Sequence, residues 1–342
     1  MKAVVFHRYG GPEVLQYEEI DTPEIGPDEA LIRVRACGLN RLDLMITGGL
    51  TPGKAPLPHI CGSEVAGEIA QLGENVKGFA PGQRVVVAPY LHDGTCEFCL
   101  AGEETTCLNG DILGLRSNGG YAEYVKVPGN SLVGLPENLT FEEGAAQALA
   151  TLTAWHMLVT KAGIHAGETV LVHSAGSGVG AAAIQIAKLW GAQVIATAST
   201  DEKLEKAKEL GADEVINYAQ QNFYQEVRQL TNKRGVDIVV EHIGQDTWEK
   251  SIQSLSRNGR LVICGTTSGS DGRVNLWNLF AKQLMLIGAY GGTRDELQQV
   301  LRLTEEGRIS PTIDSTYPLE KAAEAQEQLA SRQHFGKILL IP

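Results

Sequence analysis

Residues 168–200 read ETVLVHSAGSGVGAAAIQIAKLWGAQVIATAST. An apolar run from Glu168 to His173 meets a turn of Gly, Ser and Ala. Apolar residues at helical spacing follow from Gly178 to Trp190, and then a second apolar run from Val194 to Ala198. Strand, glycine-rich turn, helix and strand in this order make a βαβ unit. Such a turn lets backbone N–H groups approach a pyrophosphate, and the positive end of the helix dipole favours that charge. Gly176, Ser177, Gly178 and Val179 are therefore expected to face a dinucleotide. The three-glycine fingerprint is incomplete. Aligned on Gly180, its first two glycine places hold Ala175 and Ser177, with glycines at 176 and 178 instead.

The same alternation continues outward. A helix is expected over Asp201 to Leu210, and strands over Val215 to Tyr218, Val236 to His242 and Arg260 to Gly265, with helical segments between. Strands and helices alternating at this spacing predict an α/β fold with a doubly wound parallel sheet. Residues 1 to about 130 have a different texture. Short alternating runs such as Ala30 to Ala36 and Gln83 to Ala88 are broken by Gly, Pro and Asp, which predicts a β-rich region. Glu142 to Val159 reads as a helix joining the halves. Beyond about 290 come a helical stretch and a strand, Lys337 to Ile341.

The end of the second strand bears on the choice of dinucleotide. An NAD site usually has Asp or Glu there to hold the ribose hydroxyls. Here the place falls at Ala198, followed by Ser199 and Thr200, and Lys203 lies one helical turn on. No carboxylate at that place repels a 2′-phosphate, and Lys203 can pair with it. Asp201 and Glu202 argue the other way, though acids are ordinary in a first helical turn. The expectation is NADP(H) over NAD(H).

Composition bounds the alternatives. The chain has 342 residues, enough for about two domains, with 43% apolar residues, 39 glycines and a net charge of −12. That charge disfavours nucleic acid and anionic lipid as partners. The N-terminal apolar run is too short for a signal peptide or a membrane span, so the reading is cytoplasmic. Three of the six cysteines crowd into Cys96-Glu-Phe-Cys99 and Cys107, which in a reducing compartment favours a metal over disulfides.

Further stretches carry a resemblance across nearly the whole chain: GGPEVL near the start, CGLNRLD at 37–43, CGSEVAGEI at 61–69, GFAPGQRV at 78–85, GGYAEYV at 119–125, LTAWHML at 152–158 and FGKILL at 335–340. Together they resemble the medium-chain dehydrogenase/reductase superfamily, the zinc-type alcohol dehydrogenases and quinone oxidoreductases. The resemblance implies a GroES-like β-rich catalytic domain over 1–148 and 286–342 and a Rossmann domain over 149–285. It also implies a homodimer or homotetramer. Ser199, Lys203 and Tyr218 match the residues that surround the adenosine phosphate in quinone-reductase-like members. Thr153, Ile243, Gly265, Ala289 and Lys337 match nicotinamide and diphosphate contacts.

In relatives with a structural zinc, four cysteines hold the ion. The last three places match Cys96, Cys99 and Cys107, and the first falls on Asp93. Three thiolates and a carboxylate keep the ligand count of a closed tetrahedral site. His92 is the competing fourth ligand, and an empty loop of reduced thiols is the plain alternative. The catalytic zinc places fall on Cys37, Ser63 and Leu149, of which only Cys37 is a ligand type, with Glu64 beside it. His156 lies seven residues past Leu149, about 10 Å along a helix and too far. His59 is a conceivable substitute that is more often a structural residue. Without that Lewis acid, hydride must go to an acceptor already polarised, such as a quinone or an α,β-unsaturated carbonyl. Asn40 and Asp43 match the Asn-x-x-Asp element of zinc-free relatives and are the candidate catalytic pair, with Arg41 a further donor. The alternatives are an alcohol/aldehyde substrate with metal at Cys37 and Glu64, and an NADPH-binding protein without turnover.

Overall fold

The computed structural model describes residues 1–342, which divide into two units, Met1–Leu152 with Gly292–Pro342 and Thr153–Gly291. No helix is long and apolar enough to cross a membrane.

The Thr153–Gly291 unit holds a six-stranded sheet in the spatial order Glu214–Asn217, Gln193–Ala198, Thr169–Val172, Val236–Glu241, Leu255–Ile263, Met285–Gly288. All neighbours are parallel, with Val170 opposite both Val194 and Ile238. This is the Rossmann order, whose direction reverses between Thr169–Val172 and Val236–Glu241, where a crevice forms at the carboxyl ends of the strands. The helix Gly178–Leu189 packs closely because its inner face is small: Gly180, Ala181, Ala183 and Ala187 are buried beside Ile184 and Ile186. Each of those isoleucines contributes about 1.5–3 kcal/mol by burial. Expected and observed elements agree within a residue or two, except that the strand expected at Arg260 begins at Leu255.

The other unit is built on a seven-stranded sheet. Its central strand, Glu29–Gly38, pairs antiparallel with Glu64–Leu72, with Tyr124–Pro128 and with Lys337–Ile341. A register shift between Val34 and Ala36 leaves Arg35 extra and turns the end of the strand inward, so Ala36, Cys37 and Gly38 are all buried. Phe6, Ile32, Leu39, Ile46, Ile69 and Tyr121 fill the main core.

The single helix expected over Glu142 to Val159 is three pieces: Phe141–Ala145, Ala150–Trp155 and a π-helical turn His156–Lys161. The cause is long-range. Glu64 Oε1 accepts the N–H groups of Leu149 (3.0 Å) and Ala150 (2.8 Å). Those donors are then unavailable to a continuous helix, and a new one starts at Ala150 with a carboxylate at its positive end.

Candidate active site and metal lobe

The glycine-rich turn is held by its own backbone. Ser174 takes a left-handed φ of 47°, Ser177 N donates to Ser174 O (2.8 Å), and Ala175 N donates to Thr197 O (2.9 Å). Ser177 caps the following helix, its Oγ accepting from Gly180 N at 2.9 Å. Gly180 is needed for close approach, since a Cβ there would fall 2.3 Å from Ser174 O. The other N–H groups of the first turn have no acceptor inside the helix and offer an anion a partner. Ser177, Gly178 and Val179 are partly exposed, while Gly176 is buried.

Most of the remaining expected cofactor residues stand at the carboxyl ends of the same parallel strands. Ser199 follows Gln193–Ala198, and Lys203 is in the first turn of Asp201–Glu209. Tyr218 is exposed, and its N–H donates to Ala198 O (3.0 Å), which ties it beside Ser199. The Asp201 carboxylate accepts from Asn217 Nδ2 (2.8 Å). Ile243 follows Val236–Glu241 and donates its N–H to Glu241 (2.7 Å). Gly265 follows Leu255–Ile263, and Ala289 follows Met285–Gly288. Thr153 is buried at the start of this unit, whereas Lys337 belongs to the other.

In that other unit, Lys337 organises a buried polar cluster. Its ammonium donates to Leu39 O (2.5 Å) and Asn40 Oδ1 (2.8 Å) and lies 2.7 Å from Glu64 Oε2. Asn40 N in turn donates to Asp43 Oδ2 (2.7 Å), and Gly62 N donates to Asp43 Oδ1 (3.1 Å). The Asn40 amide oxygen is thus engaged, while its Nδ2 is buried without a partner. Burial pushes the Asp43 carboxyl up to about 6 against these hydrogen bonds. Arg41 is exposed.

A second metal is not matched by the donors around Cys37. Its sulfur is fully buried, and Gly62 is required beside it, because a Cβ there would come 2.8 Å from Cys37 Sγ. Burial pushes the Cys37 thiol well up. Ser63 and Leu149 stand at the other ligand places and offer a hydroxyl and nothing. Both oxygens of Glu64 are engaged, one by the helix start at Ala150 and one by Lys337. His59 Nε2 pairs with Gly114 O (2.9 Å), and its ring packs edge-on against Phe6.

The cysteine lobe differs. One ligand atom each from Asp93, Cys96, Cys99 and Cys107 lie within 4.8 Å of one another. Cys96 Sγ is 3.5 Å from Cys99 Sγ and 3.8 Å from Cys107 Sγ. Asp93 accepts from Thr95 N (2.8 Å), Asn109 Nδ2 (2.7 Å) and Cys96 N (3.1 Å), which hold its carboxyl well below the usual range. Hydrogen bonds from the backbone of Cys99 and Leu108 bring Cys96 down to about 7, and burial raises Cys99 to about 12. Four donors this close fit a closed tetrahedral zinc. His92 is turned to Tyr90 O (3.3 Å) and Asn130 Nδ2 (3.4 Å). Leu100 and Leu108 are exposed, so the lobe has little apolar core of its own.

The roles of Glu64 and Glu241 were not legible from the residues near them. Glu64 meets Lys337 and Ala150, and Glu241 meets its partners at a strand end, where an acid is unremarkable.

Comparison with known proteins places the chain. A model of the zinc-binding dehydrogenase family matches residues 178–306, and one of the alcohol dehydrogenase GroES-like domain matches 26–137. Quinone oxidoreductase of Homo sapiens is 33% identical over 100% of this chain and 98% of its own length. The acryloyl-coenzyme A reductase of Sulfurisphaera tokodaii is 34% identical, with 100% of each chain covered. A crystal structure of an NAD-dependent alcohol dehydrogenase has a TM-score of 0.96 at 45% identity, with 100% of both chains covered. With a GroES-like unit, a Rossmann unit and relatives of this kind along its full length, the chain belongs to the medium-chain dehydrogenase/reductase superfamily and is an oxidoreductase.

Proposed function

We propose that the chain is an NADP(H)-dependent reductase of quinones or α,β-unsaturated carbonyls, with one structural zinc and no catalytic metal. The observation that carries this reading is the donor set at Cys37. Ser63 and Leu149 stand where metal ligands would, and Glu64, the nearest substitute, has both oxygens engaged.

The nicotinamide supplies the hydride when bound. Asn40 Nδ2, buried and unpaired, donates to the oxyanion that develops on the acceptor. Lys337 holds the amide oxygen and Asp43 the Asn40 N–H, so the amide is fixed before substrate arrives. The three Lys337 contacts engage its ammonium within its own unit, and its part is to hold Asn40. Gly176, Ser177, Gly178 and Val179 receive the diphosphate. Ser199, Lys203 and Tyr218 surround the 2′-phosphate, and Thr153, Ile243, Gly265 and Ala289 border the nicotinamide. Asp93, Cys96, Cys99 and Cys107 would hold the zinc, which orders the lobe.

A second reading, alcohol dehydrogenase, is favoured by the 45% identity to the solved NAD-dependent enzyme. Metal content per chain separates them when measured with NADPH and NADH turnover on a quinone, an enone and an alcohol. One zinc and NADPH-driven reduction support the proposal. Two metals with alcohol oxidation, or equal turnover with NADH, reject it.

We also infer a cytoplasmic homodimer or homotetramer. The six cysteines are free, which suits a reducing compartment. The edge strand Met285–Gly288 and the helix Leu276–Ala281 leave Leu276, Trp277, Phe280 and Met285 exposed. An open strand edge with apolar neighbours suits the same strand of a second copy. Light scattering that finds a monomer at micromolar concentration rejects this.

A further inference from the structure

Behind the glycine-rich turn, the buried polar atoms form one hydrogen-bond chain whose proton positions follow from its acid end. Glu241 is fully buried and receives four donors: Ile243 N (2.7 Å) and Gly244 N (3.2 Å) on Oε1, Thr247 Oγ1 (2.9 Å) and Ser251 Oγ (2.7 Å) on Oε2. A carboxyl so surrounded is an ionised acceptor. Ser251 therefore gives its proton to Glu241 and must accept from His173 Nε2, 2.9 Å away. The ring proton is then on Nε2, and bare Nδ1 accepts from Thr197 Oγ1 (3.2 Å). Thr197 Oγ1 in turn accepts from Ser174 N (3.3 Å). His242 Nε2 donates to His173 O (3.0 Å).

Because only a bare Nδ1 accepts, the link from Thr197 requires a neutral His173. Burial pushes its pKa down to about 4, although Glu241 pulls the other way. The ring is 2% exposed, with Phe223 edge-on at 4.8 Å, and the charged or titratable groups that face it are Glu241 and His242.

The hydrogen-bond chain ties Thr197, near the carboxyl end of Gln193–Ala198, to the loops that follow Thr169–Val172 and Val236–Glu241, at Ser174 and at Ile243 and Gly244. Those loops carry Gly176–Val179 and Ile243, and Ser199 follows the strand of Thr197. We infer that His173, Ser251 and Glu241 are positioning residues that lock these loops into one arrangement before the dinucleotide binds. The inference rests on the dinucleotide reading above. Preorganised donors lose little freedom on binding, so the chain acts on cofactor affinity.

The test uses the full-length protein with Thr197→Val, which keeps shape and removes the hydroxyl between His173 and Ser174 N, Ser251→Ala, which removes the hydroxyl between His173 and Glu241, and the double variant. NADPH affinity is read by fluorescence titration, and kcat at saturating NADPH and quinone. Each single variant should weaken NADPH binding about fivefold, the scale of one lost hydrogen bond, with kcat held within about twofold. The double variant should be no weaker than either single, because one cut already uncouples the loops. Nitrogen-15 NMR of the wild type should find His173 as the neutral Nε2–H tautomer down to about pH 5. Unchanged affinity in a folded variant overturns the inference, as do effects that multiply in the double variant or an Nδ1–H tautomer. Should Ser251→Ala fail to fold, the isosteric Thr197→Val and the wild-type tautomer still decide. Wild type that binds neither NADPH nor NADH defeats the dinucleotide reading itself, whereas normal wild-type binding with unaffected variants defeats only this step.

Discussion

The glycine-rich turn and the cluster around Asn40 are built on opposite plans. The turn is made of neighbours, Ser174 to Gly180, whose main-chain groups are held by one another, by the Ser177 capping hydroxyl and by Thr197 of the next strand. The cluster is made of distant side chains: Lys337 reaches Asn40 across 297 residues, and Glu64 reaches Ala150 across 86. The donors that a main-chain site presents belong to every residue, so side-chain change reaches them only through the groups that hold the turn, such as Gly180 and the Thr197 hydroxyl. A side-chain cluster is more exposed to the loss of one member, because a single ammonium, that of Lys337, serves both Asn40 Oδ1 and Glu64 Oε2.

That contrast can be broken at its strongest point first. Lys337→Met leaves the fully buried Glu64 carboxylate without its cation, and unfolding should become easier by about 3–5 kcal/mol. Denaturant titration checks this, and a loss below about 1 kcal/mol would mean that the cluster is as tolerant as the turn. Asn40→Ala should lower kcat about 10²–10³-fold, the cost of one oxyanion donor, with NADPH affinity unchanged. Equal loss in kcat and NADPH affinity would blur the two regions into one.

Asp43 sharpens the comparison through pH. Its folded pKa of about 6 lies above the ordinary carboxyl value near 3.9. The native state then binds more protons than the unfolded one between about pH 4 and 6. Stability from this group is present at pH 4 and is lost as pH rises through 6. Relative to Asp43→Asn, the wild type should lose on the order of 2 kcal/mol between pH 4 and pH 7. Parallel stability curves for the two proteins would remove Asp43 from the cluster's balance. The smallest effect belongs to a side chain beside the main-chain site, in the first turn of Asp201–Glu209. Lys203→Ala should raise KM for NADPH about tenfold, leave NADH alone and keep kcat, since only one charge pair with the 2′-phosphate is lost.

Local signals carried most of the fold into view. Period-two and helical spacing between glycine breaks located the parallel strands, and Lys337–Ile341 matched residue for residue. The cysteine spacing brought Cys96, Cys99 and Cys107 together because they share one short lobe. What escaped reading depends on contacts at long range. The helix expected through 142–159 breaks because Glu64, far away in sequence, takes two of its donors. The Lys337 cluster is invisible for the same reason, since no window of neighbouring residues contains both ends of it.

The discontinuous unit also sets an order of assembly during synthesis. Residues 153–291 emerge complete and can close their sheet while Glu29–Gly38 still lacks one of its neighbours, the strand Lys337–Ile341. A nascent or truncated chain that stops short of residue 337 would carry the whole glycine-rich turn and hold nucleotide, yet leave the Asn40 amide unclamped. Such a product would hold a nicotinamide dinucleotide without turning it over, so nucleotide retention alone is a poor measure of how much of a preparation is competent.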